Sequence, residues 1–563
     1  MEASVYRMIL AVLLALFPGL AFSGLLGNPI IFVKQTKVNH SGTSVQDLTG
    51  NFLGSNPAQD QPVGGGLYLL DPSGELRELV GGPAIAVRDP EVSLDGQKVI
   101  FSMKEGGKGK WQIWEYDLKA NFLKRFSTDP KVNDFDPAYL PYEKIVFVSD
   151  RLRLADPYRN YPSAQMYISL ENGTGTQLLN ANPGGHSNPV SLFYAPAGFG
   201  VILFSQFDHH DLRKNIRTEP DALAVNRFLP WFVYRDGSAF DHPLFGAHTI
   251  PDFKGGYVSV RELPGTDQLI GIQANLEKTF GAGSIVKMKY TRNDNRQVPV
   301  YLSPNVFDLK ADNRHGRWRD SYPMVDGSIL ASYAEGPVYQ SKPVLGASEI
   351  PNFKIVRLSA DGKKQETVYE DPNFWCWQPV ELTARREIPF SIGVTRSTKV
   401  NHAMLNSLDV FHRGPNFKKV VNGDRQTVPG RGSISFVRIY KMVKTRNANP
   451  AFANYSPRKF VELGKAPVHS DGSFAALVPV DTPLIWELLD HSEKVVVRER
   501  FGTTLKSGEI RVCAGCHAPH GGRKGNTTNE ALSDVTNLTR FDPDSDKNGV
   551  LDILENLGIP GYD

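Results

Sequence analysis

The sequence is short of cysteine, with three in 563 residues. Two of them, Cys513 and Cys516, form a close pair, and the third, Cys376, lies far upstream. So few cysteines exclude a disulfide-stapled scaffold, which needs several separated pairs. An excess of one charge is also lacking, because 63 lysines and arginines are balanced by 60 aspartates and glutamates. A balanced charge gives no indication that the protein binds nucleic acid.

Long hydrophobic runs are absent beyond the N-terminus, where one run follows Arg7 and extends from Met8 to about Leu20. The run is short for a membrane span, and the following Ala21-Phe22-Ser23 has the small residues of a cleavage site. We therefore predict a signal peptide over 1–23, cleaved after Ser23, and a periplasmic or secreted protein with no membrane span. An uncleaved anchor is the alternative.

Glycine and proline are plentiful, with 51 and 39 residues spread along the chain. This favours turns and short strands over long helices. Six segments have the pattern of a strand, a tight turn and a second strand. They cover 67–80, 112–126, 166–179, 231–245, 285–302 and 353–369.

A second unit recurs between these hairpins. It begins with an Asx-Pro pair, which we interpret as a turn, and ends in an apolar strand, as after Asp89, Asp136 and Asn188. Two hairpins per repeat are typical of a four-stranded propeller blade. We predict an all-β chain with a six-bladed, TolB-like β-propeller over 24–386. An array of β-sandwiches is the alternative.

The two ends of this region predict how the ring closes. The chain starts in mid-blade with the strand near Ile30, and an unmatched outer unit begins at Gln378, so the two should share one sheet. Beyond about Arg386 the repeat stops, while strand-period alternation continues. We predict a smaller β-sandwich-like domain over 387–528 and a C-terminal segment over 529–563.

The strongest chemical motif is Cys513-Ala514-Gly515-Cys516-His517. Two thiols at this spacing can form thioethers to the vinyl groups of a haem, and the adjacent histidine can bind the iron. The alternatives are a zinc knuckle completed by His520 or Cys376, and a strained disulfide. We predict one covalent haem c.

The sixth iron ligand must come from upstream or be absent, because no methionine follows the motif. The candidates are His469, His402, His412 and Met404. An open iron would allow small-molecule chemistry, whereas a filled one favours electron transfer.

A second motif lies near the C-terminus. Oxygen side chains at positions 1, 3, 5, 9 and 12, with glycine at 6, predict an EF-hand-type Ca²⁺ loop over 544–555. Its ligands would be Asp544, Asp546, Asn548, the carbonyl of Val550, Asp552 and Glu555. A solvated acidic tail is the alternative.

Other features of the sequence are weaker evidence for a functional site. His209-His210 is most simply a loop, with a channel-facing ligand site as the alternative. Cys376 stands between Trp375 and Trp377, which predicts a buried packing residue. No catalytic residue can be assigned, since no hydrolase triad or nucleotide fingerprint is present.

The order of these features resembles the alpha subunit of hydrazine synthase and its relatives. A TolB-like propeller precedes a β-domain with APVHSDGSFAALVPVDTPLIWELLD from Ala466 and LKSGEIRVCAGCHAPH from Leu505. The resemblance implies a six-bladed propeller and a middle domain with covalent haem at Cys513 and Cys516. In the true synthases it implies the joining of a hydroxylamine-like intermediate with ammonia, within a multi-subunit, multi-haem complex.

The sequence departs from that pattern in two places. It has one Cys-x-x-Cys-His motif, whereas the synthases continue into a further haem domain. Ala518-Pro519-His520-Gly521 follows the motif, without the tyrosine that the synthases use there. We expect one of two functions. The first is an exported mono-haem redox protein that transfers electrons or acts as a haem-dependent oxidoreductase, with a redox partner or further subunits. The second is a propeller binding module with a minor or structural haem.

The Ca²⁺ motif gives a first testable prediction. Four carboxylates around one short loop repel one another unless a cation neutralises them. Calcium should therefore protect the residues after Arg540 from proteolysis, and Glu555→Gln should weaken this protection much more than Lys547→Gln. Limited proteolysis with calcium or with chelator measures it, and identical cleavage in both would identify a solvated tail.

Overall fold

The computed structural model describes most of the chain. It covers residues 20–21, 26–37, 63–106, 109–155, 162–182, 184–193, 201–209, 226–238, 256–274, 279, 281–289, 299–306, 315–336, 338, 351–385, 400–412, 420–421, 424–425, 430–442, 460–498, 502–513, 515, 529–533 and 538–541. Within these residues the regular elements are strands and one 3-10 turn, Glu530–Leu532. None of the described residues forms a helix long and apolar enough to cross a membrane. The all-β prediction is confirmed.

Twenty-four strands precede residue 385. They are β1 (Leu20–Ala21), β2 (Ile30–Thr36), β3 (Gly65–Leu70), β4 (Leu76–Gly82), β5 (Ile85–Val92), β6 (Lys98–Glu105), β7 (Gln112–Asp117), β8 (Phe122–Arg125), β9 (Asp134–Leu140), β10 (Lys144–Ala155), β11 (Pro162–Leu170), β12 (Gln177–Asn180), β13 (His186–Ser191), β14 (Val201–His209), β15 (Asn226–Tyr234), β16 (Gly256–Glu262), β17 (Gln268–Ala274), β18 (Gly283–Lys289), β19 (Val300–Tyr301), β20 (Arg317–Pro323), β21 (Ile329–Ala334), β22 (Lys354–Leu358), β23 (Gln365–Glu370) and β24 (Phe374–Glu381).

These strands group into consecutive antiparallel sets. The sets are β24-β2-β3-β4, β5 to β8, β9 to β12, β13 to β15, β16 to β19 and β20 to β23, and β1 pairs with β23 at the edge of the last set. Single pairings join β15 to β16 and β18 to β20. The first strand of each set contacts the first strand of the next set. These strands follow one another in the order β5, β9, β13, β16, β20 and β24, and β24 contacts β5 again. The sets therefore surround one axis, as the blades of a propeller do.

The ring closes through β2 and β24, which pair from Ile30 opposite Glu381 to Thr36 opposite Phe374. This pairing confirms that the two ends of the region share one sheet. The position of the closing strand was wrong, however. β24 is the innermost strand of its set and contacts β20 and β5, whereas the sequence suggested an outer unit.

The Asx-Pro pairs were also misinterpreted as turns. Asp89, Asp136 and Asn188 lie inside β5, β9 and β13, with φ of 56°, 57° and 48°. At each of them the pairing with the next strand shifts, so each is a β-bulge in a first strand. The local sequence favours a residue with positive φ at these positions. Whether that residue lies in a turn or in a strand depends on the strands that pair around it, which the tertiary fold decides.

Ten further strands form a second unit. They are β25 (His402–Ser407), β26 (Val420–Val421), β27 (Asp424–Arg425), β28 (Phe436–Met442), β29 (Phe460–Pro467), β30 (Phe474–Pro479), β31 (Leu484–Leu489), β32 (Val495–Arg498), β33 (Ile510–Cys513) and β34 (Thr539–Arg540).

This unit is a sandwich of two sheets, β33-β25-β30-β34 and β29-β28-β31-β32. Leu405 and Val478 from the first sheet share a buried cluster with Ile439 and Leu488 from the second. Phe541, just after β34, belongs to the same core. The sandwich thus includes residues beyond 528, where the sequence placed the domain boundary.

The two units meet at the end of β12. The N–H of Ala181 donates to Thr504 Oγ1 at 2.9 Å, and Lys506 Nζ donates to the carbonyl of Leu178. Met442 and Phe460 of the sandwich pack into the apolar cluster of the propeller around Tyr167. Buried polar and apolar contacts therefore attach the sandwich to the propeller.

Ring closure gives a prediction about Lys34. On β2, Lys34 forms a 2.6 Å ion pair with Asp371, and their side chains are 8% and 1% exposed. Lys34→Met should lower the free energy of unfolding by about 3–5 kcal/mol, because it leaves a buried carboxylate unpaired. Urea denaturation measures this loss.

The matched control is Lys363→Met. Lys363 pairs with Asp361 at 3.4 Å, but these side chains are 84% and 56% exposed. An exposed pair contributes about 0–1 kcal/mol, so little change is expected. Equal losses in the two variants would contradict the role given to Lys34.

Candidate functional site

The haem motif begins at the end of an edge strand. Cys513 is the last residue of β33, which pairs in parallel with β25 and places Cys513 opposite Ser407. The carbonyl of Cys513 accepts the N–H of Leu408 at 2.9 Å, and its side chain is half-buried. Cys516 and His517 lie outside the described residues.

Gly515, between the two cysteines, fills a position that only glycine can take. Its φ is 154°, and a Cβ there would lie 2.6 Å from the carbonyl oxygens of both Asp409 and His412. The same Cβ would lie 2.9 Å from His412 Cβ. The segment 409–412 therefore packs directly against the motif.

Asp409 holds that segment in place. It is 3% exposed, and its carboxylate accepts the N–H of Phe411 at 2.9 Å and pairs with Arg431. Arg431 also donates to the carbonyl of Asp471 at 2.8 Å. One charged contact thus joins the loop beside the motif to the turn before β30.

Two of the predicted ligand candidates lie at this end of the sheet. Ser407 is opposite both Cys513 and Phe474, and the turn from His469 to Gly472 comes just before Phe474. The N–H of Val410 donates to Gly472 at 2.8 Å. The structure therefore brings His412 and His469 to the end of the sheet that carries Cys513.

The other two candidates lie farther along β25. His402 uses both ring nitrogens, Nε2 at 3.0 Å from the carbonyl of Phe541 and Nδ1 at 2.8 Å from Asn401. Met404 is half-exposed and lies opposite Ile510 and Leu477. His402 is thus already engaged, while Met404 stands among apolar side chains.

The described residues fit a covalently attached haem better than a zinc knuckle completed by Cys376. Cys376 is fully buried in β24 of the propeller, where burial raises the pKa of its thiol. Zinc binds the thiolate, so this residue is a poor ligand. Its prediction as a buried packing residue is confirmed. Cys513 is half-buried at the end of an edge strand, where its thiol could reach a group attached beyond the sheet.

Several predicted site residues lie outside the described part of the chain. They are His210, His520, Asp544, Asp546, Asn548, Val550, Asp552 and Glu555. His209 is the last residue of β14. Within the described residues, no group of three or more His, Cys, Asp or Glu side chains could hold a metal ion.

A cavity of about 50 Å³ lies on the propeller axis. Each first strand contributes its left-handed bulge residue to the lining. These residues are Asp89, Asp136, Asn188, Ser259, Asp320 and Gln378. The cavity has room for about one or two water molecules among polar groups.

Hydrogen bonds link these bulge residues from one set to the next. Gln378 Oε1 accepts the N–H of Asp89 at 2.9 Å, and the N–H of Asp136 donates to Ser102 at 3.0 Å. Ser102 in turn donates to the Asp89 carboxylate at 3.1 Å. Sequence analysis noticed the Asp-Pro and Asn-Pro pairs but missed this ring. The Gln-Pro pair at Gln378 was a further sequence signal of this ring of bulge residues.

Among the carboxyl groups of this ring, Asp136 has the most strongly shifted pKa. Burial, and secondarily the negative charge of Asp89, raises the pKa of Asp136 to about 7. Its carboxylate accepts the N–H of Asn188, and Nδ2 of Asn188 lies 3.2 Å from Oδ1. A proton can therefore bind at Asp136 near neutral pH.

An ionic cluster lies beside the cavity. Glu91 pairs with Arg261 at 2.8 Å and with Arg385 at 2.7 Å, and Arg385 donates to the Tyr322 hydroxyl at 2.6 Å. Burial opposes ionisation of Glu91, but the two guanidinium groups outweigh it and hold its pKa below the ordinary value. The cluster joins residues far apart in sequence around the axis.

The raised pKa gives a prediction about pH. The folded protein holds a proton on Asp136 between pH 3.8 and about 7, whereas the unfolded chain has lost it. Stability should therefore fall as pH rises through this window, by at most about 1.4 kcal/mol per pH unit. Asp136→Asn should remove that slope, as measured by denaturant titrations at several pH values.

The control is Asp361→Asn, at an exposed turn. Hydrogen bonds, first from Ser359, lower the pKa of Asp361 to about 2, so its effect lies below pH 3.8. This variant should keep the slope between pH 4 and 7. An unchanged slope in Asp136→Asn would contradict the proton placement.

Residues 428–518 match the family model of the hydrazine synthase alpha subunit middle domain. The match includes β28 to β33 and the whole haem motif. No curated protein sequence matches the chain.

One solved structure extends the similarity of the fold to 90% of this chain. Hydrazine synthase from Kuenenia stuttgartiensis has a TM-score of 0.67 and 17% identity, over 90% of this chain and 71% of that chain. TolB from Acinetobacter baumannii has a TM-score of 0.36 and 11% identity, over 63% of this chain and 67% of that chain. The shared fold and the middle-domain match confirm the resemblance to the hydrazine synthase alpha subunit that the order of the motifs predicts.

Proposed function

We propose that the protein is an exported mono-haem c-type cytochrome that carries electrons or performs redox chemistry on small nitrogen compounds. The observation that carries this proposal is the position of the motif. Cys513 ends a strand of the sandwich, and the Cys-x-x-Cys-His sequence lies inside the segment that matches the middle-domain model.

The residues of the motif have distinct roles in this proposal. Cys513 and Cys516 would hold the haem through thioethers, and His517 would bind its iron. Gly515 lets segment 409–412 approach the motif, and Asp409 with Arg431 keeps that segment in position. The bound haem would supply an electron-accepting iron centre.

Other subunits or a redox partner protein belong to the proposal. The matching family model describes an alpha subunit, which supports assembly with further chains. The absence of a tyrosine just after the motif argues against assigning hydrazine synthesis itself. Whether the iron turns over a substrate depends on its sixth ligand.

The axial cavity favours a second candidate function, a propeller-based binding protein in which the haem is structural or sensory. Its lining combines three aspartates with amide and hydroxyl groups. Such a lining suits a small polar ligand. A carbon monoxide titration discriminates the two candidates, because an iron whose spectrum does not respond argues against catalysis at the haem.

Export and calcium binding complete the proposal. Cleavage after Ser23 would deliver the chain to the compartment where c-type haem is attached, and the loop 544–555 would bind Ca²⁺ as a structural ion.

Covalent haem is the central prediction. Protein produced with a periplasmic haem-maturation system should keep its haem in denaturing electrophoresis, because thioethers survive unfolding. Cys513→Ala or Cys516→Ala should abolish covalent retention of the haem, and haem staining of the gel measures this retention.

Cys376→Ala is the matched control. It removes the third cysteine from the propeller core and should leave the haem attached, at some cost in stability. Haem that is fully extractable from the native sequence, or zinc in its place, would overturn the proposed function.

A further inference from the structure

A second cavity, of about 90 Å³, lies at one end of the propeller axis. It shares Val190, Arg261 and Tyr322 with the axial cavity, so the two are neighbours along the axis. Four of its lining residues are the last residues of first strands. They are Ser191 of β13, Glu262 of β16, Pro323 of β20 and Glu381 of β24. We call it the mouth cavity, because it lies where these strands end.

Two guanidinium groups line the mouth cavity and stay partly accessible. The side chains of Arg261 and Arg385 are each 21% exposed, and both pair with the carboxylate of Glu91, which is 4% exposed. Arg385 also donates to the hydroxyl of Tyr322. Among the described residues, the other N–H groups of the two arginines have no partner. One carboxylate thus serves two cations, whose spare donors remain available.

Aromatic rings and the backbone fix these guanidinium groups in place. The Tyr322 ring centroid lies 5.1 Å from the guanidinium carbon of Arg261 and 5.7 Å from that of Arg385. The Phe193 ring lies 5.9 Å from Arg385. The N–H of Arg385 donates to the carbonyl of Leu94 at 2.7 Å. Donors held in this way lose little freedom when they bind a ligand.

The other two carboxylates of the lining are already engaged. Glu381 is 2% exposed, and its two oxygens accept from Asn28 Nδ2 and from the N–H of Val325, each at 2.9 Å. Glu262 accepts the N–H of Phe193. These acceptors therefore serve the protein itself, and they leave the arginine donors to a ligand.

The hydroxyl of Ser191 is an independent sign of a ligand. Ser191 is 8% exposed and lines the mouth cavity, and its Oγ has no hydrogen-bond partner in the part of the chain that the structure describes. Buried hydroxyl groups are normally hydrogen-bonded, so an unpartnered one at a cavity wall needs an explanation. Together with the arginines it makes the spare capacity of the cavity mainly that of donors. Such a set suits a ligand with acceptor oxygens.

The rest of the wall is mostly apolar. It consists of Val190, Phe193, Pro264, Pro323, Val325 and Ala384. The volume corresponds to about three water molecules. A ligand with one charged group and a short apolar body therefore matches both the size and the lining.

We propose that the mouth cavity binds a small monocarboxylate, with its carboxylate on Arg261, Arg385 and Ser191 and its apolar body against the remaining wall. The planar N–H groups of arginine match the two oxygens of a carboxylate. The inference is independent of the proposed haem, because every residue of the cavity belongs to the propeller. It also goes beyond the second candidate function, which concerns the axial cavity.

Calorimetric titration of the full-length protein tests the proposal. Propionate at constant ionic strength should bind saturably, whereas propionamide, which has a similar shape and no charge, should not. Sulfate should bind more weakly than propionate, because it has no apolar body. A short peptide that ends in alanine, offered as the free acid and as the amide, tests whether the carboxylate can also come from a chain terminus.

Two variants with matched controls locate the binding. Arg385→Gln should weaken propionate binding about 10–100-fold, the usual value of charged hydrogen bonds. Arg438→Gln is its control, because Arg438 has a similar 20% exposure and pairs with the buried Glu487 in the sandwich. Val325→Glu puts a negative charge at the 55% exposed rim and should weaken binding roughly fivefold. Its control is Val300→Glu, at a 56% exposed position outside the cavity.

The outcomes are distinct. Absence of saturable propionate binding overturns the proposal, as does unchanged affinity in both Arg385→Gln and Val325→Glu. Because Val325 is exposed, its variant keeps the test decisive if Arg385→Gln fails to fold. Equal binding of sulfate and propionate overturns the role of the apolar wall, and tighter binding of the peptide acid than of propionate supports a chain terminus as the source. Loss of covalent haem would overturn the proposed redox function and leave this site standing.

Discussion

The propeller depends on satisfying the backbone at its axis. Each first strand contains a left-handed residue that breaks its own ladder, as Asp89 and Asp136 do. A buried N–H without an acceptor costs about 1–3 kcal/mol, so these groups need partners from elsewhere. The neighbouring set supplies them through Gln378 and Ser102. Ring closure and hydrogen-bond satisfaction at the axis are therefore one requirement.

The same requirement explains why charged groups are buried there. Glu91 is held by Arg261 and Arg385, which come from different sets. Breaking such a network is costly because it leaves a charge uncompensated in the interior. Closure of the ring brings these groups together, and their pairing then resists its opening. The cavity they border is polar for this structural reason, whatever ligand it accepts.

The propeller also holds the sandwich in place through direct contacts. Thr504 and Lys506 bond to the end of β12, and Met442 packs into the propeller core. Thr504 and Lys506 precede β33 by a few residues, so their contacts help to fix the strand that ends at Cys513. The Cys-x-x-Cys-His motif therefore begins on a supported edge, close to segment 409–412. The axial cavity and the motif are separate places, which is why a binding function and a redox function can be distinguished experimentally.

Local patterns in the sequence determined much of this protein. The hairpins predicted an all-β propeller, the ends near Ile30 and Gln378 predicted a shared sheet, and the tryptophans around Cys376 predicted its burial. The spacing of Cys513, Cys516 and His517 predicted a covalent haem, which stays a prediction. Each of these signals depends on neighbouring residues or on a repeat, which a sequence displays directly.

Tertiary structure decided what local patterns could not. Whether Asp89 begins a turn or forms a bulge depends on which strand lies beside it. The innermost position of β24 depends on its pairing with β2 and its packing between β20 and β5. The four ligand candidates looked equivalent in sequence, but strand register placed His412 beside the motif and Met404 on an apolar face. Register and ring closure are set by contacts between distant residues, and no local spacing encodes them.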